Sequence, residues 1–288
     1  MNHGLPDPAA RAERLAAYLR QDPGNATLAR ELAQEQQRLL RSLHRASRLA
    51  DAWDWILAAQ GAGVLQPPAR GVAALIAVDR GDFAAARAWS ADALQDEGAC
   101  MEALVAHGTV ALAERQAARA VDAFERALQR NAQDGRALGG LGLAHLLAGD
   151  FTRARSHLEQ AVLRVPEHIG TWHALGWTRL LQGDRAGALE AFHRALQEDR
   201  NVAESHGAVG LALAHQGLVE EAKRHLDRAD RLDPSNVTAR YARAVLSGEA
   251  GDAGRITRLA RRLLDRPGFF GGRLHDSVLA AAAQSREP

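Results

Sequence analysis

Twelve histidines make metal binding and proton transfer the first chemistries to weigh in this chain. A metal needs several ligands converging on one point, and the sequence patterns that achieve this are an HExxH helix or paired cysteines at finger spacing. Neither pattern occurs. His145, His206 and His215 fall in the first helices of a repeat described below. His157 and His225 occupy equivalent places in two second helices, and His168 and His173 straddle a helix start. They read as separate surface and interface histidines, so no metal is expected. Nucleophile motifs are missing as well. There is no G-x-S-x-G and no Walker loop, and the one cysteine, Cys100, lacks the signature of an activated thiol. Leu138 to Gly142 reads LGGLG, but it lies within a helical pattern with no strand before it, so close helix packing explains it better than a phosphate cradle. The expectation is a protein with no catalytic group and no cofactor.

Composition narrows the partners. Lys and Arg number 36 against 35 Asp and Glu, a net charge of +1 that gives no overall field toward nucleic acid or anionic membrane. RNA-reading helical repeats carry polar selectors and basic channels, and this chain shows neither. One basic segment, Arg255 to Arg266, has an apolar stripe of Ile256, Leu259, Ala260 and Leu263 and reads as an amphipathic helix with a solvated arginine face. The segment MNHGLPDPAARAER has no apolar core of signal length, and the longest uncharged stretch is too short for a bilayer, so no membrane insertion is expected. A lone cysteine asks for no oxidising compartment, which makes the cytoplasmic compartment the default.

The elements that must carry any function follow from internal self-similarity. Ala86, Ala120, Ala154, Ala188 and Ala222 are each 34 residues apart, as are Ala93, Ala127, Ala161, Ala195 and Ala229. A third column in the same register holds only small residues: Ala74, Gly108, Gly142, Gly176 and Gly210. Apolar residues recur at helical spacing within each unit, and Gly81-Asp82, Gly149-Asp150 and Gly183-Asp184 break the middle. Each unit is therefore helix, tight turn, helix, with Pro166 and Asp233-Pro234 at unit ends. Small residues at fixed helix positions let neighbouring helices approach closely.

These residues resemble the tetratricopeptide repeat family. The clearest unit runs from Ile169 to Val202, with Trp172, Leu175-Gly176, Ala188, Phe192 and Ala195 in the family's places. The resemblance covers 67–236 in five units and weakens in 237–270, where Ala244 and Pro267 persist but Ile256 and Leu263 replace two alanines. It implies an all-α fold, a right-handed α-solenoid of helix-turn-helix repeats, with the degenerate unit as a cap. Three segments are expected: a helical extension over 1–66, the repeat array over 67–270, and a tail over 271–288. From Ala26 a helical pattern runs toward Leu57 without glycine or proline, consistent with one long helix or with a degenerate repeat lacking its turn signal. Trp53 and Trp55 in that stretch point to nearly opposite sides of a helix, so one is expected to be exposed or at an interface.

The resemblance also implies where a partner would bind. The family's groove is lined by fixed positions of each first helix. Here these give Leu75, Val78, Thr109, Leu112, Leu143, Leu146, Leu147, His173, Trp177, Leu180, Leu181, Leu211 and His215. Independently, the segments Ala137 to Ala148 and Thr171 to Leu181 are apolar on more than one face, and such helices should be buried nearly all round. The covering is either supplied by the chain itself, through its termini or a homodimer, or by an apolar or amphipathic peptide of another protein. The leading expectation is a protein-protein interaction module: adaptor, assembly factor or secretion-type chaperone. The alternative is a scaffold or regulatory subunit of an enzyme whose chemistry lies in a different chain. Leu143, Leu147 and Trp177 are expected to matter more for binding than for folding.

Overall fold

The computed structural model describes residues 8–95 and 100–248. Among these residues there are fourteen α-helices and no strand. In chain order they are α1 (Pro8–Gln21), α2 (Ala26–Arg45), α3 (Leu49–Gly61), α4 (Pro67–Asp79), α5 (Phe83–Ala93), α6 (Met101–Ala113) and α7 (Ala117–Arg130). Then follow α8 (Gly135–Ala148), α9 (Phe151–Arg164), α10 (Ile169–Leu181), α11 (Arg185–Glu198), α12 (Ala203–His215), α13 (Val219–Leu232) and α14 (Val237–Leu246). The expected tail with its apolar segment Leu274 to Ala283, the basic segment Arg255 to Arg266 and most of the unit 237–270 lie outside the described residues. The chain divides into two compact units, Met1–Val110 and Ala111–Pro288.

In the second unit the small-residue columns do the packing. Ala120, Ala127, Ala154, Ala161, Ala188, Ala195, Ala222 and Ala229 are all fully buried. Each glycine of the third column faces a large side chain of its own unit's second helix. A Cβ on Gly142 would lie 2.7 Å from Leu158 Cγ, one on Gly176 2.4 Å from Phe192 Cε1, and one on Gly210 2.5 Å from Leu226 Cδ2. Within LGGLG, Gly140 meets the Phe124 ring in the same way, at 2.3 Å. The glycines are thus sockets for an aromatic ring or a leucine, which accounts for the motif without a phosphate. The turns are built alike: Gly149, Gly183 and Gly217 adopt φ of +83°, +81° and +77°, the left-handed region glycine enters at no steric cost. Asp150 and Asp184 then cap the second helices, accepting from Arg153 N–H at 3.0 Å and Gly187 N–H at 2.9 Å.

The first unit settles the open question about 26–60. It is two helices, α2 and α3, separated at Ser47, whose φ is +56°. Ser47 stands 34 residues before Gly81 (φ +79°), and Ala52 and Ala59 stand 34 before Ala86 and Ala93. Both alanines are buried. The second half of α2 together with α3 therefore keeps the repeat register while losing its turn glycine. The joint to α4 is held by a fully buried side chain: Gln36 donates to Val64 C=O at 2.9 Å and accepts from Gln66 N–H at 2.9 Å. Helix α1 adds a small cluster in which Ala12, Leu15 and Ala16 pack on Leu32, with Trp55 against them. Trp53 stands instead 5.6 Å from the ring of Trp89, with the Arg80 guanidinium 4.8 Å above it. Neither tryptophan is exposed; both are half-buried, because each opposite face of α3 finds its own partner.

Candidate functional site

The residues expected to line a groove separate into two groups. Leu75, Val78, Thr109, Leu112, Leu143, Leu146, His173, Trp177, Leu180 and Leu211 are buried, most of them nearly completely. Leu147, Leu181 and His215 are half-buried. In the second unit the cause is the position of the first helices: α10 packs against α8, α9, α11 and α12, so little of its circumference is left for a partner. Trp177 has its ring edge-to-face with Phe192 at 5.7 Å, and its indole N–H has no acceptor. His173 Nε2 lies 2.9 Å from Ser205 Oγ, tying α10 to α12, and burial, with His168 nearby, pushes its pKa down to about 3. These are interior side chains. Of the trio expected to matter more for binding than for folding, Leu143 and Trp177 are buried and Leu147 is half-buried.

The three half-buried members are not scattered. Leu147, Leu181 and His215 are the thirteenth residues of successive units, 34 apart, and Ala113 precedes them in the same column and is exposed. The second unit thus presents a column of Ala113, Leu147, Leu181 and His215 at the C-terminal ends of its first helices, three apolar residues and an imidazole, above a closed floor. In the first unit the same column holds Asp79, whose Oδ2 stands 2.5 Å from His44 Nε2, so there the position is polar.

The histidines are less dispersed than their spacing suggested. His145 and His157 stack with centroids 5.5 Å apart, and burial lowers the pKa of both. His206 and His225 meet Nδ1 to Nδ1 at 3.2 Å, with His193 beside His225 at 6.0 Å between ring centroids. Burial, followed by the neighbouring His206 and His193, brings His225 down to about 4. The signal lay in the repeat register: His157 and His225 share one second-helix place, while His206 and His145 are two helical turns apart in first-helix register and so share a face toward it. Among the described residues no group of three His, Cys, Asp or Glu side chains is arranged to hold a metal ion. Burial and then Glu102 push the Cys100 thiol up to about 11, which disfavours the thiolate, and Glu102 is itself held by Arg41 at 2.6 and 3.0 Å. Among the described residues no helix is long and apolar enough to cross a membrane.

Paired helices stacked by small-residue columns, one first helix and one second helix to each 34-residue unit, define a helical-repeat protein. The tetratricopeptide repeat profile matches residues 105–168 and 173–237. A TPR repeat-containing protein of Pseudomonas aeruginosa is 34% identical over 76 residues, which is 26% of this chain and 72% of that protein. Human Tetratricopeptide repeat protein 36 is 33% identical over 108 residues, 36% of this chain; the chain spans only 57% of that relative's length. Among solved structures, the Cut9–Hcn1 hetero-tetramer of the APC/C is similar with a TM-score of 0.62 at 17% identity, covering 85% of this chain and 46% of that one. The chain belongs to the tetratricopeptide repeat family.

Proposed function

We propose that this chain is a protein-binding module, an adaptor, assembly factor or secretion-type chaperone, that takes an apolar or amphipathic segment of another protein. The observation that carries this reading is the column Ala113, Leu147, Leu181 and His215: apolar or uncharged residues held at one place of successive first helices and left partly open. A helical peptide with large apolar residues along one face has the matching chemistry. The cytoplasm is the compartment this reading assumes, since the lone cysteine needs no oxidant, and cell fractionation checks it.

The experiment is co-purification with mass spectrometry, followed by calorimetry of the recombinant partner against wild type and a Leu147→Glu/Leu181→Glu variant. Anchors of this kind typically contribute about 2 kcal/mol or more to a complex, whereas half-exposed positions change folding by about 0.5 kcal/mol. The expected result is a large loss of affinity with a nearly unchanged urea midpoint. An equal loss of both, or unaltered binding, would remove the column from the site. A doubled mass by light scattering that reverts in the variant would make a second copy the occupant. An enzyme that co-purifies and changes its turnover on binding would make the chain that enzyme's regulatory subunit.

A further inference from the structure

The contact between His206 on α12 and His225 on α13 is unusual in joining two imidazoles through the same ring atom. His206 Nε2 donates to the Arg200 carbonyl at 3.1 Å. A neutral imidazole has one N–H, so this bond leaves Nδ1 of His206 as a bare lone pair aimed at Nδ1 of His225, 3.2 Å away. A backbone carbonyl fixing one ring nitrogen and thereby orienting the other is the outer-shell arrangement found around metal-ligating histidines. The separation fits too: two Zn–N bonds of ~2.0–2.1 Å at a tetrahedral angle place their nitrogens about 3.3 Å apart.

We propose that His206 and His225 form a two-point chelate, through their Nδ1 atoms, for a divalent ion that favours imidazole, Zn2+ foremost. In the ion-free state the pair is an N–H···N hydrogen bond, in which His225 Nδ1 donates. Binding moves that proton to Nε2 of the same ring, so no net charge is lost from the site, and water completes the coordination. His193, on α11, supplies the nearest further imidazole, with its ring centroid 6.0 Å from that of His225. Glu221, one turn before His225, is felt by both His193 and His225 and favours a cation, whereas Arg224, Arg228 and Arg231 act on the pair with the opposite sign. The charge balance makes this a modest-affinity site that clips α12 to α13, distinct from the zinc sites without which a small domain cannot fold.

The test uses the full chain, stripped with EDTA and titrated with Zn2+ by calorimetry. One saturable equivalent is expected, with affinity reduced at least tenfold in His206→Gln and in His225→Gln and unchanged in His145→Gln, which alters the other histidine stack. Circular dichroism establishes that each variant is folded. Long-range 15N–1H spectra of the unmutated chain give a second reading that needs no variant: on addition of Zn2+ the Nδ1 resonances of His206 and His225 should shift ahead of those of the other histidines. Absence of saturable binding, equal affinity in all three variants, or Nδ1 shifts elsewhere first would overturn the proposal.

Discussion

The helices α8 to α13 of the second unit and α2 to α4 of the first are written in the same 34-residue register but held by different chemistry. In the former, every first helix offers a glycine to a buried ring or leucine of its partner, as Gly176 does to Phe192 and Gly210 to Leu226. The latter pair has lost the glycine socket. Leu40 fills the column, and Gln36, Gln37 and Arg41 reach across instead, to Val64, Pro68 and Glu102. Helix pairing therefore survives without the family's small residues provided that the polar groups exposed by the change are themselves satisfied. The two regions also differ at one surface column: it holds Ala113, Leu147, Leu181 and His215 in the second unit and Asp79 in the first.

The largest effect should come from Trp177→Ala. The side chain is wholly buried on Phe192, and truncations of this size cost about 3–5 kcal/mol. Urea unfolding measures it. Trp177→Phe should cost far less, because it keeps most of the volume and removes an indole N–H that has no acceptor. A cheap Trp177→Ala would mean that the floor of the column is not the packed interior described.

Two substitutions of similar size probe the two chemistries against each other. Gly176→Leu should lose roughly 1–3 kcal/mol by overpacking, because the added Cβ already falls 2.4 Å from a buried ring atom. Gln36→Ala should lose about 1–3 kcal/mol by stranding the Gln66 N–H. Native-state hydrogen exchange should place the first loss in α10 to α12 and the second in α2 to α4. Protection lost from both regions in either variant would mean that they do not differ as argued.

Acid should weaken the second unit through His173. Its folded pKa of about 3 lies below the ordinary 6.5, so between these values the unfolded chain binds more protons and stability falls as pH drops. Above about pH 6.5 this contribution is constant, and within the window one such group changes stability by at most about 1.4 kcal/mol per pH unit. His173→Gln, which can still bond Ser205, should flatten the slope between pH 6.5 and 4. An unchanged slope would shift the cause to His225, which stands at about 4, and to His145 and His157, whose pKa values burial lowers in the same direction.

What the sequence revealed and what it hid follow the same physical line. Gly-Asp turns and alanine columns are set by local sterics, so α4 to α13 could be read from spacing alone. The turn at Ser47 remained one of two alternatives because no glycine or proline marks it, although Ala52 and Ala59 carry the register in plain view. The exposure of the residues expected to line a groove was only partly legible. Family positions identify which helix side is meant, but whether Trp177 or Leu147 is open depends on how many helices crowd that side. Histidine pairing was hidden for the same reason, since His206 and His225 are brought together by packing between helices rather than by spacing along one.

The smallest effect concerns the turns, the feature that both regions share. Ser47 and Arg115 hold φ of +56° and +60° at the places where Gly81, Gly149, Gly183 and Gly217 sit near +80°. A residue with a Cβ pays roughly 1 kcal/mol for the left-handed conformation. Glycine there relieves the strain but adds about 0.4–1 kcal/mol of unfolded-state entropy to be lost, so the two terms nearly cancel. Neither turn has a side-chain cap on the following helix, since Arg48 and Gln116 stand where Asp82, Asp150 and Asp184 cap. A Gly-Asp pair restores both features. Arg115→Gly/Gln116→Asp should therefore raise stability by about 1 kcal/mol, mostly from the cap, and Ser47→Gly/Arg48→Asp by a smaller amount, while Ser47→Gly alone should leave the midpoint nearly where it was. The cap term in the Ser47 pair is offset in part, because Arg48→Asp also removes the exposed contact of Arg48 with Asp51 and sets two acids in its place. A gain at 115 and none at 47 would show that the first unit's turn is shaped by its own surroundings; gains at both would show that the degenerate pair still obeys the rule of the regular ones.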